Sequence, residues 1–209
     1  MALHTRRRLL QAATALAASL AGCGGFSGSA SHSETVAANG AGPPDSNSET
    51  DPPQLVARGG AERPPIRLAD EDGETPDDDP ERRLGPRDDY AVVDSSEMAA
   101  RLTVADGVDV DGDLGSFVEE TAFDEETLYL QTNAVQECFR LELCWVSWQP
   151  GEIHTDYART VREYDEACAA DTRAYESRLV RLPVALDSDE VNSFGTTIGS
   201  GRCDRGGEQ

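Results

Sequence analysis

Residues 137–148 read ECFRLELCWVSW and residues 153–164 read IHTDYARTVREY. Between them stands Gln149-Pro150-Gly151-Glu152, a composition suited to a turn. In the first stretch Phe139, Leu141, Leu143 and Trp145 alternate with Arg140 and Glu142, the period of two that marks a strand. In the second, Ile153, Thr155, Tyr157 and Val161 fall on one face. The pair predicts a long hairpin in which Tyr157 faces Cys144 and Cys138 lies opposite Glu163.

Working outward, Thr127 to Thr132 carries Leu128-Tyr129-Leu130 and reads as a buried strand. Arg173 to Pro183, with Tyr175, Leu179, Val180 and Leu182, reads as another. Glu97 to Val104 fits either helix or strand. Gly115 to Glu120 reads as one or two helical turns, Leu186 to Phe194 as a short helix, and Gly195 to Gly201 as a loop. The expected fold is mainly β: a small antiparallel domain over 88–209, with a long hairpin and short helices.

Residues 23–87 read differently. Pro43-Pro44, Pro52-Pro53 and Pro64-Pro65 punctuate Ser, Gly, Asp and Glu, and acids crowd 70–79. So little apolar surface does not offset the entropy of ordering, so a disordered acidic stalk is expected. Random-coil scaling gives it a reach of ~40–45 Å. Ile66-Arg67-Leu68 is its one candidate edge strand.

Residues 1–22 have the layout of an export signal, with Arg6, Arg7 and Arg8 ahead of a short apolar run ending at Leu20. Thr5-Arg-Arg-Arg-Leu-Leu10 resembles the twin-arginine signal, and Leu20-Ala-Gly-Cys23 resembles a prokaryotic lipobox. That resemblance implies cleavage before Cys23 and a diacyl or diether lipid on its thiol. The expected address is the outer face of the cytoplasmic membrane, with the membrane itself as first partner.

The chain carries 18 basic and 40 acidic residues, a net charge of -22, and contains no lysine. Cleavage before Cys23 would remove three arginines and no acid, moving the charge to -25. Such a surface repels nucleic acid and anionic lipid. The composition resembles secreted proteins of extreme halophiles. Molar salt shortens the Debye length to about 3 Å and screens the self-repulsion. At low salt the same charge should loosen the fold.

Beyond Cys23 the cysteines are Cys138, Cys144, Cys168 and Cys203. An even set in an exported domain implies two disulfides, for which three pairings exist. Cys138 and Cys144 on one strand stand ~20 Å apart, too far to bond. Cys168 follows closely on the hairpin partner of Cys138. The register therefore favours Cys138 with Cys168 and Cys144 with Cys203. The spacings suit neither a zinc site nor a redox pair.

No cofactor is implied, and no catalytic constellation is recognisable. His154 and Asp156 have only same-face strand spacing, and no G-x-S-x-G occurs. Gly195 to Gly201 is glycine-rich but lacks the lysine of a phosphate loop. Asp109, Asp111 and Asp113 take positions 1, 3 and 5 of an EF-hand-like loop, with Glu120 at position 12 and Leu114 where glycine belongs. Of the tryptophans, parity assigns Trp145 to the core and makes Trp148, beside the turn, the exposed candidate for a binding face.

Phe123 to Gln131, the cysteine-bearing hairpin and Leu179-Val-Arg-Leu-Pro183 resemble haloarchaeal lipoproteins of unknown function. The order of strands is similar to the C-terminal β domain of PrcB-type protease-complex proteins. These resemblances imply a small β domain, carry no catalytic motif, and say little about activity. The expectation is a non-enzymatic, lipid-tethered binding or accessory module with an envelope protein as partner. The alternative is a solute- or calcium-binding accessory protein using Asp109 to Glu120. Oligomeric state is not written in the residues.

Overall fold

The computed structural model describes residues 31–35, 42–60, 63–69 and 89–203. The expected export signal at 1–22, Cys23 and the acidic run 70–79 lie outside them. Among the described residues, twelve strands and two short helices follow one another. They are β1 (Ser31–Thr35), β2 (Ser48–Glu49), β3 (Gln54–Gly59), β4 (Ile66–Leu68) and β5 (Asp89–Val93). Next come α1 (Ser96–Ala99), β6 (Leu102–Val104), β7 (Asp109–Val110) and α2 (Leu114–Glu119). The long strands complete the chain: β8 (Thr127–Gln136), β9 (Phe139–Gln149), β10 (Glu152–Val161), β11 (Arg173–Leu182) and β12 (Ser193–Ser200).

Two five-stranded sheets stack as a sandwich, in the orders β1-β12-β10-β9-β2 and β5-β8-β11-β3-β7. The mainly β expectation holds, with one change: β12 runs parallel to both β10 and β1. The chain leaves the first sheet after β10, crosses as β11 in the second, and returns as β12. Tyr129, Val135, Leu141, Leu143, Val146, Ile153, Val180 and Phe194 fill the space between the sheets. The other face of the second sheet is covered by α1, α2 and the β4–β6 pair, around Leu55, Ile66, Val93, Leu102, Leu128 and Leu179. Buried on both faces, β8 is apolar or buried at nearly every position.

Three sequence expectations are corrected. First, part of the segment 23–87 belongs to the fold. β3 lies between Pro52-Pro53 and Pro64-Pro65, pairs with β11, and buries Leu55 and Ala57. Proline lacks a donor but fits just before a strand, and Pro53 there accepts from Arg181 N at 2.9 Å. Ile66-Arg67-Leu68 does form an edge strand, paired with β6. Second, the expected helix and loop at the C-terminus contain strand β12. Phe194 and Thr196 point inward, while glycines at 195 and 199 occupy outward positions and hide the alternation.

Third, the hairpin carries a bulge. Glu152 to Asp156 pair with Gln149 to Trp145, and then Tyr157 pairs with Leu143. Cys144 is the extra residue, so it does not face Tyr157. One inserted residue exchanges the two faces of a strand. Leu141 and Leu143 point inward before it, Val146 and Trp148 after it. Trp145 therefore lies on the outer face, and Val161, at the far end of β10, is exposed.

Both disulfides join the pairs that the register favours. Cys138 bonds Cys168 across a Cα separation of 5.2 Å, closing the base of the hairpin. Cys144 bonds Cys203 at 5.0 Å. Cys203 follows β12 by three residues and must cross β10 to reach β9. Two strand spacings are about 10 Å, within reach of three residues.

The free edge of β9 is closed by side chains rather than by a strand. β2 pairs only with Ser147 and Val146. Further along, Leu141 N donates to Glu176 Oε2 at 3.1 Å, and Leu141 O accepts from Arg178 Nη2 at 2.7 Å. Phe139 O accepts from Arg58 Nη1 at 3.0 Å, and Glu137 O from Arg58 Nη2 at 2.8 Å. Arg58 also pairs with Glu176. These residues come from β3 and β11 of the opposite sheet, so one polar seam joins the sheets and blocks a pairing edge.

Candidate functional site

Among the described residues, the hairpin tip presents a surface that is both aromatic and concave. Gly151, at φ +82, makes the turn that brings β10 back along β9. Trp148 closes the inner face at this end, packed against the core, and its backbone N–H donates to Asn47 O at 2.9 Å. Its indole borders two clefts. One, of about 320 Å³, lies between Trp148, Pro150, Leu186 and Val191, with Asp187 and Glu190 at its mouth. The other, of about 220 Å³, lies between Pro44, Trp145, Trp148, Glu152 and His154.

The second cleft owes its floor to the bulge and to β12. Trp145, turned outward, stacks on the imidazole of His154 with centroids 5.3 Å apart. His154 pairs in register with Gly195 on β12, and a Cβ there would come within 2.3 Å of its Nδ1. Glycine thus lets the ring lie flat across the neighbouring strand. His154 Nε2 and Thr197 Oγ1, 3.2 Å apart, hold its far edge. Burial pushes the His154 pKa below its ordinary value of 6.5, opposed by the carboxylate of Glu152. Asp156, on the same outer face, is also buried, and that burial raises its pKa.

Because the folded pKa of His154 is depressed, its neutral form contributes stability that is present above pH 6.5 and lost as pH falls. Gly195→Ala should expel the ring from its seat. We expect the His154 midpoint, followed by its Cε1 proton in NMR, to rise toward 6.5 and the domain to lose about 1–3 kcal/mol. An unchanged midpoint would show that the seat does not hold the ring.

The other sequence candidates are placed elsewhere. Asp109 lies in β7, paired with Arg58 of β3, and Asp111 N donates to Val56 O at 2.8 Å. Asp113 caps α2, accepting from Ser116 N at 2.7 Å, and this bond lowers its pKa. Glu120 stands 3.6 Å from Arg181. The helix begins at Leu114, where an EF-hand loop would still be winding round its ion. Among the described residues, no group of three or more His, Cys, Asp or Glu side chains is arranged to hold a metal ion. No helix among them is long and apolar enough to cross a membrane.

Trp148 is therefore at a concave surface, although half-buried rather than exposed. Trp145, His154 and Gly195 were not marked by the sequence as parts of one site. The signal that would have found them is the glycine facing a histidine across two strands, visible only once β12 is known to be a strand. Comparison with protein-family models, curated proteins and solved structures finds no match.

Proposed function

We propose that this chain is a cell-surface lipoprotein of a halophile, held by a lipid on Cys23, that acts as a non-enzymatic binding or accessory module through its hairpin tip. The observation that carries the reading is Trp148 as the shared wall of two clefts at one end of a disulfide-braced sandwich. Aromatic side chains in concave, part-apolar surroundings supply much contact area at little entropic cost. The export signal and lipobox supply the address, and the acidity argues against nucleic acid as the partner.

The test uses the full lipidated chain in molar salt. Mass spectrometry of the mature N-terminus should find a lipid on Cys23; an unmodified Cys23 removes the anchor. Envelope extract passed over the immobilised protein should leave a defined partner, whose enrichment falls about tenfold or more in Trp148→Ala. Equal enrichment by wild type and variant would remove the hairpin tip from the binding surface.

A further inference from the structure

We infer that the cleft between Trp145, Trp148, Glu152 and His154 binds a small organic cation of the substituted-ammonium class. The inference rests on the binding-module reading and gives this cleft its ligand chemistry. Both tryptophans of the chain line it, Trp148 half-buried and Trp145 buried with its ring stacked on His154. Indole faces attract ammonium groups through the ring quadrupole, more strongly than other aromatics do. Glu152 is exposed at its mouth and contributes a carboxylate.

Nothing basic opposes a cation there. Among the described residues lining the cleft, the others are Pro44, Ser147 and Gln149, which carry no charge. His154 is the one side chain able to become positive. Burial against Trp145 and Gly195 favours its neutral form. An inorganic metal ion is disfavoured by the absence of a ligating cluster among the described residues, and an anion by the lack of any donor cation. A volume of about 220 Å³ is small for a drug-sized ligand and suits a compact headgroup.

Because both tryptophans border this cleft, intrinsic fluorescence of the full chain reports on it directly. The experiment is a titration with tetramethylammonium chloride, with sodium chloride adjusted to hold ionic strength constant. A saturable change is expected, weakened tenfold or more in Glu152→Lys. Glu152 is exposed, and near-UV circular dichroism confirms that this variant keeps its fold. A response identical to that of sodium, or a saturable response to glucose with none to tetramethylammonium, overturns the inference. So does equal affinity in Glu152→Lys. Envelope-partner enrichment that still depends on Trp148 would then leave the binding-module reading standing alone. Saturable ammonium binding with enrichment indifferent to Trp148 would do the reverse.

Discussion

Glu176→Ala should lose about 3–5 kcal/mol of folding stability, as expected when one partner of a buried ion pair is removed. Glu176 is 4% exposed, and both of its oxygens are engaged, one by Arg58 and the other by Leu141 N. Truncation leaves a guanidinium in the seam and an edge N–H without its acceptor. Burial lowers the pKa of Arg58, Glu176 opposes that shift, and Arg162 and Arg140 add repulsion. Without Glu176 the guanidinium keeps its two backbone carbonyl acceptors but loses its one opposing charge. Urea denaturation with an unchanged m-value should place the midpoint far below wild type. Glu176→Gln, which keeps an acceptor for Leu141 N, should lose less. The surface carboxylate Glu166 is the comparison. It pairs with both Arg140 and Arg162, yet its own side chain is 31% exposed and that of Arg140 49%, so Glu166→Ala should cost about 1 kcal/mol. Similar losses for Glu176→Ala and Glu166→Ala would show that the seam behaves as a surface pair.

The same seam suggests why arginine serves where lysine could not. Arg58 reaches two backbone carbonyls and a carboxylate at once. Arg178 reaches Leu141 O and Gln54. Arg181 reaches Phe117 O at 2.8 Å and lies over the Phe117 ring. A planar fork divides its donors among several fixed acceptors, whereas an ammonium is a compact point charge.

What the residues disclosed and what they hid have local causes. The hairpin was legible because alternation and Pro150-Gly151 agree on its register. The bulge was not, because inserting Cys144 leaves the composition of the strand unchanged while exchanging its faces. That one residue turned Trp145 to the outer face, where it is still buried against His154, and Trp148 to the inner one. β12 was hidden by glycines at its outward positions, and β3 by prolines that resemble a stalk while serving as strand boundaries. Trp148 was named for its parity but matters for its place at the strand end. His154 read as an ordinary surface residue because its seat, Gly195, is supplied by a strand read as loop.

Gln131→Leu should cost about 3–4 kcal/mol, because it orphans polar groups that have no other way to reach water. Gln131 is fully buried between the sheets. Its Oε1 accepts from Tyr157 OH at 2.8 Å and from Thr155 Oγ1 at 3.0 Å. Its Nε2 donates to Thr196 Oγ1 at 2.8 Å and to Asn133 Oδ1 at 3.3 Å. Thr155 keeps weaker alternatives at Gly195 O and Thr196, whereas Tyr157 OH falls back on the Thr155 hydroxyl. Leucine fills the volume but satisfies none of these groups. Tyr157→Phe removes the most exposed debt of that substitution, so the double variant should lose less than the two single losses combined. Strict additivity would mean that the two groups are not energetically joined. Tyr157 provides an independent readout. Burial pushes its pKa up to about 12 from an ordinary 10. Its protonated form is therefore favoured in the folded state: the contribution is complete below pH 10 and is lost as pH rises toward 12. Wild type should lose about 2–3 kcal/mol more than Tyr157→Phe across that interval. Parallel pH profiles would show that the phenol is not confined by the network around Gln131.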